Sequence, residues 1–340
     1  MELRPLGRCG LRVSALSLGA MTFGESRSFM RGVTSPDPEA KRVFDRAVER
    51  GVNLVDTADV YSEGHSERLV GEWIRDRRDK VLLATKCRFP MGFDTSRAGP
   101  HGHGLSRKHV IEACEASLRR LGTDRVDLYQ THMQDGSVPV DETLRALDDL
   151  IAQGKVLYAG CSNYTGYRLV ESLWSADAKR THRYESVQLQ WSLAVREAER
   201  EVIPAARAFG LGVLVWSPLA RGFLSGKYRR GEPPPEGSRL ESWQDSLRGF
   251  DNDRCWAIVD ALRDVAERHD TTPAAVALAW LLSRKEVSSV IVGARTEAQL
   301  DANLEALEIR LEPHDLKTLD DASKPDWGYP YAFIGAREPW

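Results

Sequence analysis

Short apolar runs and longer amphipathic stretches alternate along the chain. Runs such as 81–85 and 212–216 contain consecutive aliphatic residues, which is typical of strands that are buried on both faces. The stretches between them repeat apolar positions every three or four residues, which predicts helices that cover a sheet. This alternation predicts an α/β fold with a parallel sheet. The predicted strands are 15–19, 53–56, 81–85, 126–130, 157–161, 186–190, 212–216 and 289–292.

Helix signals fill the gaps between these runs. Thr272 and Pro273 form an N-cap followed by proline at the first helical position, which predicts a helix that begins there. The predicted helices are 38–50, 66–76, 108–121, 141–153, 167–175, 197–209, 255–269, 274–283 and 297–307.

Two architectures have this alternation, a closed barrel and an open doubly wound sheet. No G-x-G-x-x-G joins the first strand to the first helix, so the phosphate loop of the doubly wound fold is missing. We therefore predict a (β/α)8 TIM barrel. Residues 2–13, with Gly7 and Gly10 beside a turn, predict an N-terminal hairpin that closes the bottom of the barrel.

Three connecting segments, 25–36, 88–105 and 229–250, are longer than simple connections require. Their positions after predicted strands place them on the catalytic face, where long loops usually serve function. The C-terminal segment is rich in aromatic residues, which suggests packing under the barrel, a disordered end or a place in the substrate pocket. These residues are Trp327, Tyr329, Tyr331, Phe333 and Trp340.

Composition narrows the class of protein. The chain has 340 residues, of which 42% are hydrophobic and 29% charged, and one barrel domain over 1–340 accounts for all of them. The net charge of -3 and scattered arginines argue against nucleic-acid binding. No apolar run approaches the ~18 residues of a membrane span. The sequence does not indicate an oligomeric state.

The sequence also bears on compartment and metals. Five widely spaced cysteines without a CxxC pair favour a reducing compartment, so we predict a cytoplasmic protein. His101 and His103 have no Cys, Asp or Glu partner at ligand spacing, so we predict no metal site.

Four residues that lie at or just after the ends of predicted strands suggest acid catalysis: Asp56, Tyr61, Lys86 and His132. A phenol with a pKa of about 10 is a weak acid, and a nearby ammonium strengthens it. Asp56 would hold Lys86 in place, and His132 would hydrogen-bond a carbonyl oxygen or relay a proton. Such a group protonates an oxygen that gains negative charge, as happens during hydride delivery to a carbonyl. Taken singly, Asp56 could cap a turn and His132 could be a core histidine.

With these four residues, several motifs in order along nearly the whole chain resemble the aldo-keto reductase family. The resemblance implies NADPH-dependent reduction of an aldehyde or ketone to the alcohol on a (β/α)8 barrel, with Tyr61 as the acid. The motifs are residues 18–24, 64–67, 161–164, Gln188, residues 216–219, 222–228 and 292–295, Gln299 and Asn303.

The resemblance also implies a cofactor site. Trp216 would be the aromatic wall behind the nicotinamide, and Ser162, Asn163 and Gln188 would contact its carboxamide. Arg295 could pair with a 2'-phosphate, which favours NADPH over NADH; Lys227 could equally be a solvated lysine. The implied cofactor residues are Ala20, Met21, Asp56, Ser162, Asn163, Gln188, Trp216, Ser217, Pro218, Leu219, Gly222, Lys227, Gly293, Arg295, Gln299 and Asn303.

Phe23, Met30, Phe89 and Trp191 lie just past strand ends and are candidates for the wall of the substrate pocket. An alternative to the reductase is a cofactor-binding regulatory subunit of the same fold with little turnover, since one branch of the family modulates a membrane partner. A second alternative is a barrel isomerase or lyase that lacks nicotinamide.

Overall fold

A closed barrel of eight parallel strands forms the centre of the computed structural model, which describes residues 1–26, 30–335 and 337. The eight predicted strands are confirmed in order. The last of these strands pairs with the first, which closes the barrel. The strands are β3 Leu16–Gly19, β4 Leu54–Asp56, β5 Leu82–Cys87, β6 Val126–Thr131, β7 Val156–Ser162, β8 Tyr184–Gln190, β9 Gly212–Trp216 and β10 Val287–Val292.

Helices follow the strands and cover the outside of the barrel. The main ones are α1 Asp37–Glu49, α2 His65–Ile74, α4 Arg107–Leu121, α5 Val140–Ala152, α6 Gly166–Lys179, α7 Val202–Phe209, α10 Asp253–Arg268, α11 Pro273–Leu282, α12 Glu297–Leu304 and α13 Pro313–Ser323. Short helices lie in the long connections and the C-terminal segment: α3 Thr95–Ala98, α8 Arg239–Ser242, α9 Gln244–Phe250 and α14 Tyr331–Gly335.

The helices of the structure differ from the predicted ones at two places. The predicted helix 197–209 is interrupted, because Glu201 has φ -140° and separates a 3₁₀ turn from α7. Helix α13 was not predicted, although its start has a clear signal. Glu312 and Asp315 form a reciprocal capping box around Pro313 at the first helical turn.

The predicted N-terminal hairpin is confirmed. Strand β1 (Leu3–Pro5) pairs antiparallel with β2 (Arg12–Ser14). Behind the hairpin, Leu6 is fully buried and packs with barrel residues that include Leu54 and Leu214. Gly7 has φ +61°, and a Cβ there would lie 2.4 Å from the backbone nitrogen of Gly212, so only glycine allows this close approach. The hairpin therefore closes the amino-terminal end of the barrel.

Tyr331 in the C-terminal segment does not pack under the barrel, which was one of the suggestions for the aromatic residues there. The Arg200 guanidinium lies 4.3 Å from the centre of the Tyr331 ring, and the Tyr331 hydroxyl donates to Glu201. Both partners follow the carboxyl end of β8, on the opposite end of the barrel from the hairpin. Trp340, and residues 27–29 of the first long connection, lie outside the described residues. In the described part of the chain, no helix has both the length and the apolar character needed to cross a membrane.

A buried carboxylate joins α10 to α13. The Asp315 side chain is inaccessible to solvent and accepts hydrogen bonds from Arg268 (2.7 Å) and His269 (2.8 Å). Burial alone would raise the pKa of Asp315, but the hydrogen bonds from His269 and Arg268 outweigh burial and lower this pKa to about 2.

We expect Asp315→Asn to lower the free energy of unfolding by about 2 kcal/mol near neutral pH, because it replaces the buried carboxylate that accepts from Arg268 and His269 with a neutral amide. The folded-state pKa lies below that of an unfolded aspartate, about 3.9. The carboxylate therefore stabilises the fold fully above the unfolded pKa, and this contribution disappears as the pH falls through the folded value of about 2.

Urea unfolding of both proteins at several pH values tests this expectation, with Asp321→Asn as the control, because Asp321 lies on the same helix with its side chain 64% exposed. A stability difference that stays constant from neutral to acidic pH would contradict the role of the ionised carboxylate.

Candidate active site

The four predicted catalytic side chains meet at the carboxyl end of the barrel. Asp56 is the last residue of β4, Lys86 is the penultimate residue of β5, and His132 directly follows β6. Tyr61 begins the 3₁₀ turn Tyr61–Gly64 that follows β4. These strands are neighbours in the barrel, and parallel neighbours bring the ends of their strands together.

Lys86 is the centre of the cluster and is fully buried. Its Nζ lies 2.5 Å from Asp56 Oδ2, 2.8 Å from the Thr57 carbonyl oxygen and 3.4 Å from the Tyr61 hydroxyl. An ammonium has three donors, and these contacts occupy all of them. Burial lowers the pKa of Lys86, but Asp56 and Tyr61 outweigh burial and raise it above the ordinary value. Lys86 therefore remains a cation at neutral pH.

Asp56 is held by two amides as well as by the ammonium. Its Oδ1 accepts from Gln188 Nε2 at 2.8 Å and from Gln130 Nε2 at 3.1 Å. Gln188, which was predicted to contact the carboxamide, thus also supports Asp56, while its Oε1 accepts no hydrogen bond from the described residues. The sequence analysis missed Gln130, whose signal is its inward position near the end of β6.

A strained turn holds Tyr61. The next two residues, Ser62 and Glu63, have φ of +47° and +54°, in the left-handed region. The Ser62 hydroxyl lies 2.9 Å from the Phe23 carbonyl oxygen and 3.0 Å from that of Gly24, and donates to this pair. The connection after β3 therefore anchors the turn that presents the phenol.

Burial keeps the Tyr61 phenol protonated. Burial raises the pKa of Tyr61 and is the larger effect, while Lys86 acts in the opposite direction. The sequence prediction that Lys86 would bring this pKa below its ordinary value is therefore not met, because the net pKa lies above it. In the structure Tyr61 is thus a phenol with a proton to donate, beside a cation that stabilises the phenolate once the proton has left.

His132 lies on the other side of the phenol. The two rings are 5.7 Å apart and meet edge to face at 79°. Burial, and then the charges of Lys86 and Arg88, hold the pKa of His132 well below its ordinary value. Its Nδ1 is buried without a hydrogen-bond partner among the described residues. His132 is therefore a neutral imidazole beside the phenol, and its buried Nδ1 has no partner in the described part of the chain.

A second polar layer, which the sequence analysis did not assign, lies behind the turn. Glu67 is fully buried and accepts from Arg120 Nε and Thr85 Oγ1, each at 2.6 Å. Gly64 has φ +82°, and a Cβ there would lie 2.7 Å from the Arg120 side chain. Asp59 is buried beside this pair, and burial followed by the charge of Glu67 raises its pKa well above the ordinary value. This layer supports the Tyr61 turn from below.

Trp216 forms an aromatic surface on the opposite side of the pocket. It ends β9 and is partly exposed, and its Nε1 donates to Asn163 Oδ1 at 3.2 Å. Asn163 also donates to the His132 carbonyl oxygen at 2.8 Å, which connects the two sides of the site. Ser162, which precedes Asn163, is fully buried. Ser217, which follows Trp216, has φ +53°. The partly exposed indole of Trp216 beside the Asn163 amide suits a planar aromatic ligand.

Four cations gather beyond Trp216, and we call them the basic cluster: Arg221, Lys227, Arg239 and Arg295. Arg221 and Arg239 both lie over the Trp243 ring, at 5.3 Å and 5.6 Å from its centre. Burial followed by the charge of Arg295 lowers the pKa of Arg239 to about 10. Burial, and then Arg295 and Arg239, also lower the pKa of Lys227. Cations that repel one another in this way indicate a site for a strongly anionic ligand.

Arg239 in this cluster was missed by the sequence analysis, because it lies in a long connection without periodic pattern. Arg295 Nη2 donates to the Gly237 carbonyl oxygen at 2.7 Å, which holds that connection beside the basic cluster. The Arg295 amide donates to Gln299 Oε1 at 2.9 Å, at the start of α12. The other predicted cofactor residues are Ala20, Met21, Pro218, Leu219, Gly222 and Gly293, which follow strand ends on this face, and Asn303, which lies near the end of α12.

The structure separates the four candidates for the substrate wall. Phe89 lies at the site, with its ring 5.0 Å from the His132 ring and edge to face at 68°. Phe23 and Met30 have buried side chains, 0% and 1% exposed. Trp191 is 3% exposed and donates to Glu199 at 2.7 Å. Of the four, Phe89 alone makes a ring contact with the catalytic cluster within the residues that the structure describes.

No group of three or more His, Cys, Asp or Glu is arranged to bind a metal ion in residues 1–26, 30–335 and 337.

The site and the barrel together define a class of protein. A parallel eight-stranded barrel with a phenol, an imidazole and cations at the carboxyl ends of its strands belongs to the class of barrel enzymes. The sequence matches the Aldo/keto reductase family over residues 15–324, and the chain belongs to that family.

Individual relatives agree with this assignment and cover nearly the whole chain. The uncharacterized oxidoreductase YrpG of Bacillus subtilis is 37% identical over 94% of this chain and 95% of its own length. The versiconal hemiacetal acetate reductase of Aspergillus parasiticus is 32% identical over 96% and 98%. A probable voltage-gated potassium channel subunit beta of Arabidopsis thaliana is 34% identical over 91% and 92%. With the family, the first two identify this chain as an oxidoreductase.

We expect the His132 imidazole to stay neutral between about pH 6 and 8, because burial and two nearby cations lower its pKa. Imidazole nitrogen shifts measured by NMR as a function of pH will report the protonation state, with His132→Gln to assign the signal. His182, whose side chain is 58% exposed, is an internal control for a surface imidazole. A His132 signal that becomes protonated within this range would contradict the expectation.

Proposed function

We propose that this protein reduces an aldehyde or ketone to the alcohol with NADPH as the hydride donor. One observation carries the proposal: the buried Lys86 ammonium bridges Asp56 and the protonated Tyr61 hydroxyl, at 2.5 Å and 3.4 Å. The proposal includes a single catalytic domain over 1–340, a small-molecule carbonyl substrate and a cytoplasmic location, which suits five unpaired cysteines.

Features on both sides of the pocket support a nicotinamide dinucleotide phosphate. The partly exposed Trp216 would stack behind the nicotinamide ring. The free Gln188 Oε1 and the Asn163 amide would bind its carboxamide. The basic cluster would bind the phosphates, and Arg295 would pair with the 2'-phosphate that distinguishes NADPH from NADH.

The proposed chemistry has two parts. When bound, NADPH supplies a hydride to the carbonyl carbon and leaves as the oxidised cofactor. Tyr61 gives its proton to the carbonyl oxygen, so that C=O becomes CH–OH, and it regains a proton from solvent. Lys86 stabilises the phenolate in between, and Asp56 keeps Lys86 charged and in place. Neutral His132 would donate a hydrogen bond to the carbonyl oxygen as negative charge grows there.

A second candidate is a regulatory subunit that binds cofactor with little turnover. The similarity to the potassium channel subunit named above supports it, because that relative covers almost the same length. Turnover separates the two functions. Steady NADPH consumption by the purified protein with small aldehydes supports the reductase, whereas tight NADPH binding without consumption supports the regulatory subunit.

We expect Tyr61→Phe to reduce the kcat for aldehyde reduction by at least ~10²-fold, because it removes the general acid. NADPH affinity, measured by the fluorescence of the bound cofactor, should stay within a factor of about two, since the phenol acts on the substrate. Tyr167→Phe is the matched control, because Tyr167 is 67% exposed. Undiminished turnover in Tyr61→Phe would remove Tyr61 from the reaction.

We expect the wild-type protein to prefer NADPH to NADH, and Arg295→Ala to reduce kcat/KM for NADPH by about 10- to 100-fold through loss of a charge-assisted hydrogen bond. The value for NADH should change little. Steady-state kinetics with both cofactors will measure the ratio, with the exposed Arg310 changed to alanine as the control. An NADH preference in the wild type would contradict the assignment of the 2'-phosphate to Arg295.

A further inference from the structure

Arg88 has an unusual backbone at the edge of the pocket. It follows β5 directly, two residues after Lys86, and its φ is +149°, a conformation that side chains rarely adopt. Its carbonyl oxygen accepts from the Gly104 amide at 2.8 Å, so the far end of the long connection holds it in place. Strained backbone that the surroundings maintain occurs often at functional sites.

The Arg88 side chain continues the row of rings that lines the pocket. Its guanidinium lies over the Phe89 ring, 5.0 Å from the centre. The Phe89 ring contacts His132, and the His132 ring contacts Tyr61. The charge of Arg88 also acts on His132 and helps to keep that imidazole neutral. Arg88 therefore belongs to the same wall as the proposed proton donor.

The guanidinium has no acceptor in the part of the chain that the structure describes. Arg88 makes no side-chain hydrogen bond and no ion pair there, and its Nε is buried without a partner. Asp135 interacts with it electrostatically but makes no ion pair with it. The Asp135 oxygens instead accept from the Leu105 amide at 2.9 Å and from the Ser137 amide and hydroxyl at 2.9 Å and 2.6 Å. The donors of this half-buried guanidinium can therefore pair with an acceptor that a ligand brings.

We propose that Arg88 binds a carboxylate of the substrate, so that the preferred substrates are carbonyl compounds that carry an acidic group. The inference rests on the proposed reduction and names its substrate class. The planar guanidinium offers paired donors that match a carboxylate. A phosphate would favour a second cation beside Arg88. The nearby Lys86 does not serve as that cation, because its three donors already contact Asp56, Thr57 and Tyr61.

Two matched aldehydes, para-formylbenzoate and its methyl ester, test the proposal in the full-length protein with NADPH. Arg88→Met keeps the side-chain length and removes the charge. We expect it to reduce kcat/KM for para-formylbenzoate by about 10- to 100-fold, mainly through KM, and kcat/KM for the ester by less than about twofold. Each aldehyde keeps its own reactivity in both proteins, so the change in the ratio reports Arg88 alone.

Two further variants complete the design. Arg88→Lys should recover part of the preference for the carboxylate, because it restores the charge without the paired donors. Arg229→Met removes a charge from an exposed position on the same face, and should leave the ratio unchanged. Melting temperatures of all variants will reveal any loss of fold.

An equal loss of activity toward both aldehydes in Arg88→Met would overturn the inference, because it would mean that Arg88 only supports the pocket wall. An unchanged ratio would overturn it as well. The failure of the proposed function is a different result, since the wild-type protein would then reduce neither aldehyde.

Discussion

The architecture of the site depends on one buried charge. Lys86 has no contact with water, and its ammonium is stable only because Asp56 and a backbone carbonyl replace the lost hydration. Asp56 in turn needs Gln130 and Gln188 to satisfy its other oxygen. These five hydrogen-bonding groups come from four strands and the connection after one of them. The barrel must therefore close correctly before the charge can be accommodated, and once closed it holds Tyr61 beside a cation.

Closure of one end of the barrel by the hairpin also determines the end at which the site lies. The N-terminal hairpin fills one end of the barrel with Leu6 and neighbouring side chains, which leaves the carboxyl ends of the strands as the face of the site. On that face a second buried ion pair, Glu67 with Arg120, supports the turn that carries Tyr61. Two layers of buried polar contacts thus fix the phenol, and the turn that carries it needs glycine at position 64 and left-handed backbone at Ser62 and Glu63.

Positive charge is distributed in two places around the catalytic cluster. The basic cluster on the Trp216 side contains Arg239 and Arg295, whose mutual repulsion an anionic cofactor would relieve. Arg88 lies on the His132 side, and its guanidinium has no acceptor among the residues that the structure describes. Asp56 neutralises Lys86 between them, so the central cation serves Tyr61 rather than a ligand. In the proposed reaction the two outer sites would hold the anionic parts of cofactor and substrate, and the centre would move the proton.

The sequence by itself determined the order of strands and helices, the barrel, the hairpin and the placing of Asp56, Tyr61, Lys86 and His132 at one end, because apolar periodicity and motif spacing are local properties. Only the tertiary structure decided which polar groups meet. Gln188 turned out to support Asp56, Arg239 to join the basic cluster, and Phe23, Met30 and Trp191 to be buried. Burial also decided that the pKa of Tyr61 rises. These outcomes depend on side-chain directions and on contacts between distant residues, which no local pattern encodes.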